Sequence, residues 1–400
     1  MTEMLSAPAD QTIDGHPYRI DTQVYLSREW FNAEIEHVFR KTWLNVGRVE
    51  LLPGPGSWYR KDLPGIGASL IISRDLDGSI RAVHNVCSHR QQELVWEAAG
   101  QCDGVLMCPY HGWRFALEGA VAHIPDEESF PHFDREKVAL ARIAVDVWEG
   151  FIFVNLDPAP TQSLAEFLGE IGTSLHGFPF EESSANVYGW TCEVKANWKL
   201  VKDGFQEIYH IPTVHARALP DSTSWVPDNP NSHPLSLQLI GDHARVSLPV
   251  NPNIPLMPTT ALTLPHLPPG IAELPAGVNP GRSQLWTQDI DVIFPNFFID
   301  PTGGQFLGRY YGYNIWPIAP DRTLFEMKIY FREPANAAER WVHEYQRVLF
   351  RELLLEDCAN IERNHAGMAT GAKRYVYLQR NEVALVHGLE VIERMIGEAS

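Results

Sequence analysis

The chain has 400 residues, a formal net charge of −18 at pH 7 and a hydrophobic content of 44%. This composition is typical of a globular protein with a substantial core, and the negative charge argues against nucleic acid or an anionic membrane as a partner. No basic stretch followed by an apolar core opens the sequence, and no apolar run reaches about 18 residues, so neither a signal peptide nor a transmembrane helix is predicted. We therefore expect a cytoplasmic protein.

The first part of the chain changes from helical to β-like patterns. Helical spacing is shown by Trp30, Phe31, Ile35, Val38 and Phe39. Ser27 is the candidate N-cap of this helix. From residue 45 to residue 158, short β-like runs alternate with Gly–Pro, Asp–Gly and Glu–Gly turns. We predict an N-terminal helical region over 1–44, an all-β domain over 45–158 and a mixed domain over 159–400.

The mixed domain begins with a strand pattern and a helix pattern. Residues 187–200 alternate like a strand, and residues 200–210 are predicted to form a helix that Pro212 ends. A stretch rich in Pro, Leu and Gly over 249–281 predicts a long irregular loop that covers a pocket.

The mixed domain continues with strands and a long helix. Strands are predicted over 289–300, 309–320 and 323–333. A helix follows from Ala335 to Arg363, and its predicted apolar face consists of Trp341, Tyr345, Val348 and Leu349.

Two Cys–His pairs stand inside the β-like region. One residue separates Cys87 from His89, two separate Cys108 from His111, and eighteen lie between the pairs. Zinc fingers usually group their cysteines in one clip and their histidines in another, whereas each clip here carries one of each. This order favours a [2Fe–2S] cluster in which one iron takes both thiolates and the other takes both imidazoles. A zinc site is the alternative, and a disulfide framework is disfavoured because the five cysteines are odd in number and scattered.

A second group of metal-ligand residues follows about ninety residues later. Asp203, Glu207 and His210 stand at i, i+4 and i+7, which predicts one stripe of a helix, and His215 follows. Two imidazoles and one carboxylate form the open-sided ligand set of non-haem Fe(II) oxygenases. Glu207 is placed to bind the second ring nitrogen of His210 and so fix its orientation.

Spacing alone does not identify the carboxylate ligand of this second site. Asp357, in the predicted long helix, is the best distant candidate. Glu356 and Glu362 compete with it, because spacing alone cannot exclude them. Any one of these acids, taken by itself, is more simply interpreted as part of a solvated helix face.

With these motifs in place, the chain resembles the large (α) subunit of the Rieske non-haem iron aromatic-ring-hydroxylating oxygenases. The similarity runs along almost the whole chain and includes the two metal motifs described above. It also rests on an F-x-x-E…F-x-x-x-W opening (Phe31, Glu34, Phe39, Trp43), NWK at Asn197–Lys199, FPN at Phe294–Asn296 and ED at Glu356–Asp357.

The resemblance implies an α+β fold, in which an all-β Rieske [2Fe–2S] domain is inserted into a helix-grip (START-like) catalytic domain with an antiparallel sheet and a long C-terminal helix. It implies cluster ligands Cys87, His89, Cys108 and His111. It also implies a mononuclear Fe(II) held by His210, His215 and Asp357.

The resemblance further implies a homotrimer in which electrons cross between subunits. His111 of one chain would contact the bridging acid Glu207 beside His210 of its neighbour, and Asp203 matches a further acidic position of the motif. A small β subunit is a further partner that the resemblance allows.

Two positions depart from the usual family pattern. The bridging acid is more often Asp, and relatives with Glu at the position of Glu207 include some that demethylate amines. Gln91 stands where the first cluster loop usually has Gly, which is expected to alter the loop geometry without touching a ligand.

These observations predict the terminal oxygenase of a multicomponent system. Its substrate is expected to be a small hydrophobic, aromatic compound, its co-substrate O2, and its electron donor a separate ferredoxin or NAD(P)H reductase. The alternatives are a monooxygenase that demethylates an amine or ether, and a non-catalytic [2Fe–2S] electron carrier. Arg282 and Arg309 are isolated cations that are predicted to lie at the surface, so no cationic cluster indicates a carboxylated substrate.

Overall fold

A computed structural model describes residues 12–13, 15–130, 134–218, 233–249, 258–266, 287–301 and 309–398. The chain divides into two compact units, which we call the β unit (39–167) and the helix–sheet unit (1–38 and 168–400). Most of the predicted loop over 249–281, and Arg282, lie outside the described residues.

The helices belong mainly to the helix–sheet unit. In chain order they are α1 Gln23–Leu26, α2 Arg28–Glu34, α3 Leu164–Ser174, α4 Trp198–Asp203, α5 Ile211–Val214, α6 Pro258–Thr263, α7 Ala337–Ala369 and α8 Val383–Glu398. Within the described ranges, no helix is both long enough and apolar enough to cross a bilayer.

The strands occur in both units. In chain order they are β1 Thr12–Ile13, β2 His16–Pro17, β3 Arg19–Asp21, β4 Leu44–Arg48, β5 Ser57–Leu63, β6 Ala68–Arg74, β7 Ile80–His84, β8 Ala99–Gln101, β9 Val105–Met107, β10 Arg114–Ala116, β11 Val121–His123, β12 Ala144–Trp148, β13 Phe151–Asn155, β14 Asn186–Val194, β15 Ser236–Ile240, β16 His243–Pro249, β17 Thr287–Ile293, β18 Phe297–Asp300, β19 Arg309–Ala319, β20 Arg322–Phe331 and β21 Tyr375–Tyr377.

The β unit is built from small antiparallel sheets. Their strand orders are β7-β6-β5-β8, β11-β10-β9 and β12-β13-β4. Cys87 and Cys108 are buried in one apolar cluster of this unit, together with Trp58, Ile71 and Phe115. The two predicted thiolate ligands are therefore fixed by the core of the unit and not by exposed loop tips.

The helix–sheet unit contains a seven-stranded antiparallel sheet in the order β14-β20-β19-β18-β17-β16-β15. β14 alternates between partly buried and exposed residues, as predicted, because it lies at the edge of the sheet with one face toward solvent. It ends at Val194, before the end of the strand pattern predicted over 187–200. β19, near the centre, is buried along its first nine residues. The predicted strand over 289–300 is interrupted by a turn at 294–296 and forms β17 and β18.

The predicted N-terminal helix is confirmed in its beginning and its cap. The Ser27 side chain accepts a hydrogen bond of 3.2 Å from the backbone N–H of Trp30, so it satisfies one of the free donors of the first turn of α2. A π-helical turn continues the helix over Ile35–Phe39.

The predicted helix over 200–210 is confirmed only as far as Asp203. α4 ends at Asp203, turns follow from Gly204, and Pro212 lies in the first turn of α5. Proline is tolerated there because the first helical N–H groups have no partner within the helix. Asp203, Glu207 and His210 therefore do not form a stripe on one helix, and His210 and His215 flank a separate short helix.

The long helix α7 begins at Ala337, with Asn336 as its N-cap, and ends at Ala369. The predicted apolar face is wrong for Trp341 and Val348, which are 44% and 42% exposed, whereas Tyr345 and Leu349 are partly buried. The buried face instead consists of Val342, His343, Gln346, Leu354, Asp357, Cys358, Ile361 and His365. Half of these residues are polar, so apolar periodicity did not mark the face that packs.

Candidate functional site

The four predicted cluster ligands are brought together in the β unit. Cys87 and Cys108 are 1% and 2% exposed, and their thiols are within hydrogen-bonding contact. The rings of His89 and His111 lie 4.5 Å apart between centroids. His89 is partly buried and stacks on Trp113, whereas His111 is exposed to solvent.

The two loops that carry these ligands have the same backbone frame. The carbonyl of Cys87 accepts from the N–H of Gln91 at 2.9 Å, and that of Cys108 accepts from Gly112 at 3.0 Å. Gln91 and Gly112 both adopt left-handed backbone conformations, with φ of 58° and 75°. Gln91 therefore adopts the same backbone conformation as Gly112 in the second loop. The expected change in the geometry of the first loop is not observed.

The donor set fits a Rieske cluster. The Nδ1 atom of His89 is buried and has no hydrogen-bond partner among the described residues, so it is available as a ligand atom. Burial lowers the pKa of His89, which favours the neutral imidazole that a metal requires. Burial also raises the pKa of Cys87 to about 11, so its thiolate needs a metal to be stable at neutral pH.

A second group of ligand atoms is assembled in the helix–sheet unit. His210, His215 and Asp357 each offer one atom, and these atoms lie within 4.8 Å of one another. The Oδ1 atom of Asp357 is 3.4 Å from Nε2 of His210 and 3.1 Å from Nε2 of His215. Two imidazoles and one carboxylate on one side leave the other coordination positions of a metal open.

Both histidines are oriented by a second carboxylate. Nδ1 of His210 is hydrogen-bonded to Glu207, as predicted, and Nδ1 of His215 lies 3.0 Å from Glu356. The Nε2 atoms are thereby directed toward the shared centre, which is the usual arrangement around a protein-bound metal.

The charges of the three residues depend on one another in the metal-free protein. Burial alone would lower the pKa of His210, but hydrogen bonds with Asp357 and Glu207 raise it to about 10. Burial would raise the pKa of Asp357, but hydrogen bonds with both histidines lower it. A cation at this centre is favoured, because the buried carboxylate of Asp357 faces it and the partly buried carboxylates of Glu207 and Glu356 lie on the far side of the two imidazoles.

The acidic residues that competed with Asp357 lie elsewhere. Glu356 contacts the outer nitrogen of His215, and Glu362 accepts a hydrogen bond of 3.0 Å from the N–H of Lys195. Sequence spacing missed the role of Glu356 as an orienting group, although its position next to Asp357 on a helix offered a signal.

Asp203 does not contact the three ligands. Its carboxylate accepts a 2.7 Å hydrogen bond from Tyr25 and lies 3.8 Å from Nζ of Lys202. Burial raises the pKa of Asp203. It lines a cleft together with Glu207 and His210.

Two motifs of the family resemblance, the opening F-x-x-E and the NWK sequence, contact each other. Lys199 and Trp198 reach the carboxylate of Glu34 at 2.5 and 2.7 Å, and the Lys199 and Glu34 side chains are fully buried. Asn197 caps α4, which begins at Trp198. The opening helix is thus anchored to the segment that leads to Glu207, and this pairing could not be read from either motif alone.

A cavity of about 290 Å³ opens onto the three ligands. Its described walls are mostly apolar and include Phe205, Ile208, Ile290, Leu349, Phe350 and Leu354. Tyr313 also lines the cavity, whereas the apolar residues of 294–298 are buried in the core. This volume is at the lower end of small-molecule pockets, which span roughly 300–1,000 Å³.

Arg309 also lines this cavity and is only 5% exposed. The predicted surface position of Arg309 is therefore wrong. Arg309 is the first residue of β19, whose first nine residues are all buried, so its side chain lies inside the unit.

Family models match the two regions of the chain that contain these sites. Residues 180–398 match the family described as ring hydroxylating alpha subunit (catalytic domain), and residues 42–134 match the Rieske [2Fe-2S] domain. The chain belongs to the ring-hydroxylating α-subunit family. The resemblance drawn from its motifs is confirmed, and the cofactors that these domains imply are a Rieske cluster and a mononuclear iron.

Curated relatives match over part of their length. The carnitine monooxygenase oxygenase subunit of Escherichia coli K12 is 31% identical over 198 residues, which is 50% of this chain and 52% of the relative. The large oxygenase component of the naphthalene 1,2-dioxygenase system of Pseudomonas aeruginosa is 34% identical over 203 residues, 49% of this chain and 44% of the relative. The chain spans about half the length of the curated relatives it matches.

Solved structures confirm the predicted fold. A quaternary ammonium Rieske monooxygenase in complex with L-carnitine aligns with a TM-score of 0.70 at 20% identity, over 94% of both chains. Naphthalene 1,2-dioxygenase from Rhodococcus sp. aligns with a TM-score of 0.71 at 18% identity, over 95% of this chain and 94% of that one.

Proposed function

We propose that the chain is the terminal oxygenase of a multicomponent Rieske system that hydroxylates an aromatic or other apolar ring. The observation that carries this proposal is the convergence of His210, His215 and Asp357 at one end of a largely apolar cavity. In this proposal O2 is the oxidant, and a separate reductase or ferredoxin delivers electrons from NAD(P)H.

The cofactors divide the chemistry with the protein. When bound, the cluster supplies single electrons and the mononuclear iron supplies O2 activation. The side chains that would hold them are Cys87, His89, Cys108 and His111 for the cluster, and His210, His215 and Asp357 for the iron.

The remaining residues position and shield the reaction. Glu207 and Glu356 hold the two imidazoles in one orientation through their Nδ1 atoms. The apolar walls, including Phe205 and Leu354, orient a ring and exclude water from the ligand end. Glu207 and Asp203 are proposed to lie on the route by which electrons arrive from a neighbouring subunit.

Removal of one carboxylate tests the catalytic proposal. We expect Asp357→Ala to keep the visible absorbance of the cluster, to reduce iron from about three to about two per chain, and to abolish substrate oxidation. Iron analysis and O2 uptake with a surrogate reductase measure these effects. Glu362→Ala is the matched control, because this acid lies on the same helix but bonds to Lys195.

Two results would contradict the proposal. Substrate oxidation by the Asp357→Ala variant would show that Asp357 is not an iron ligand. Two irons per chain in the wild-type protein, with no O2 uptake, would favour the electron carrier.

Demethylation of an amine or ether is the second candidate. It is favoured by Glu207 at the bridging position and by relatives described as carnitine, choline and glycine betaine monooxygenases. Release of formaldehyde would identify demethylation, whereas a product heavier by one or two oxygen atoms would identify hydroxylation.

A further inference from the structure

The cavity has two chemically different ends. His210, His215 and Asp357 form one end, and Arg309 and Gln346 contribute polar atoms to the wall elsewhere. The walls between them are apolar. A ligand that fills this cavity therefore meets a hydrophobic passage with a cationic group along it.

The guanidinium of Arg309 is buried against aromatic rings. Its Nε and Nη1 atoms have no hydrogen bond to any described residue. Its carbon lies 4.1 Å above the ring of Phe350 and 5.4 Å from that of Tyr311. Stacking occupies the face of the guanidinium, while its N–H groups point outward in the plane and remain available.

Gln346 provides a second set of unpaired atoms. Its side chain is 4% exposed, and both Nε2 and Oε1 are buried with no hydrogen-bond partner in the described part of the chain. Gln346 stands four residues before Phe350 on α7, so the two side chains lie on one face of the helix. The amide is thereby placed on the same side as the ring that supports Arg309.

The acid nearest to Arg309 already has another partner. Asp300 favours the charged form of Arg309, but it also accepts a hydrogen bond from Tyr311. Burial lowers the pKa of Arg309, because its charge is removed from water. Unpaired polar groups at this depth are costly unless a ligand satisfies them.

We propose that the substrate carries a carboxylate, which Arg309 binds through its N–H fork while Gln346 donates a further hydrogen bond. The inference rests on the proposed function, since it names the substrate class of the same site. Phe350 precedes Asp357 by seven residues, about 10 Å along the helix, so the carboxylate and the reacting carbon lie at opposite ends of an elongated molecule. An aromatic carboxylate fits these apolar walls.

The test compares a charged probe with a neutral probe of the same shape. Holoenzyme is titrated calorimetrically without O2, using biphenyl-4-carboxylate and biphenyl-4-carboxamide, with benzoate and naphthalene-2-carboxylate as shorter carboxylates. We expect the biphenyl carboxylate to bind at least about tenfold more tightly than the carboxamide, since a hydrogen bond to a charged group contributes about that factor. The shorter carboxylates are expected to bind more weakly.

Three substitutions separate recognition from folding. Arg309→Met should reduce the preference for the carboxylate to about twofold or less, because the charge is lost while the apolar length is kept. Gln346→Glu should also remove the preference, without loss of thermal stability, because it supplies the missing anion to Arg309. Arg347→Met, an exposed cation one position along the same helix, is the matched control and should keep the preference.

Several results would overturn the inference. These are equal or tighter binding of the carboxamide, no binding of any carboxylate probe, and an unchanged preference in Arg309→Met with intact cluster absorbance. O2 uptake separates this inference from the proposed function. Oxidation of naphthalene by the wild-type enzyme, together with equal binding of the biphenyl carboxylate and carboxamide, rejects the inference and keeps the oxygenase. Arg309-dependent binding of the carboxylate without oxidation of any probe keeps the inference about binding and rejects the oxygenase.

Discussion

Gln91 holds a left-handed backbone conformation in the loop that carries Cys87 and His89. Its counterpart in the second loop is Gly112, and both residues donate to the carbonyl of a cysteine ligand. A side chain in this conformation costs about 1–2 kcal/mol relative to glycine. The loop is therefore held in place by its surroundings, chiefly the buried cysteine that precedes it.

We predict that Gln91→Gly stabilises the β unit. The gain should be about 0.5–1 kcal/mol, because the relief of backbone strain exceeds the greater flexibility of glycine in the unfolded chain. The temperature at which the cluster absorbance disappears measures the effect. Gln92→Gly is the control, since Gln92 is not left-handed, and it should lower that temperature. A decrease in both variants would contradict the strain argument.

At the scale of elements, the β unit depends on a close approach between strands. Gly56 immediately precedes β5 with φ of 80°, and a Cβ added there would lie 2.0 Å from the backbone oxygen of Cys102. Gly78, in the turn between β6 and β7, has a similar φ of 87° but nothing within 4 Å. Alanine substitutions at the two glycines therefore distinguish two contributions to stability, the strain of a left-handed conformation and a steric clash.

We expect Gly56→Ala to destabilise the β unit by roughly 2 kcal/mol more than Gly78→Ala. Both variants carry the left-handed penalty, but the first also pushes a methyl group into a backbone oxygen that cannot rotate away. Thermal loss of the cluster absorbance compares them. Equal melting temperatures would show that the strands separate freely at this point.

The elements show what sequence could predict and where it failed. The cluster ligands were predictable because both pairs are local in sequence and their order excludes the usual zinc arrangement. The face of α7 was mispredicted because its buried side carries His343, Gln346 and Asp357, whose reasons for burial lie in other elements. The break after Asp203 was missed because Gly204 is tolerated within many helices and gives only a weak signal.

Long-range pairing explains the other gaps. About 140 residues separate His215 from Asp357, so spacing could not distinguish Asp357 from its acidic neighbours. Arg309 looked like a surface residue because a lone cation in a strand pattern usually is one. Its burial follows from the central position of β19 in the sheet, which only the assembled topology reveals.

At the scale of the whole molecule, the two predicted metal sites lie in different units, and the proposed function requires electrons to pass between them. The resemblance to α subunits implies that each cluster lies next to the iron of a neighbouring chain. His111 is exposed, and Glu207 lies on a cleft beside His210, so both side chains are open to a partner. We propose a head-to-tail homotrimer in which the route runs from one subunit to the next.

Subunit mixing tests this route directly. Cys108→Ser removes the cluster and Asp357→Ala removes the iron, so homotrimers of either variant should be inactive. Co-expression with two affinity tags, followed by tandem purification, yields trimers that contain both. In a head-to-tail ring each mixed trimer has one intact cluster facing one intact iron, so about one third of the wild-type rate should return. O2 uptake measures the returned rate. An inactive mixed trimer that contains the cluster and iron expected from its two variants would show that electrons stay within a single chain.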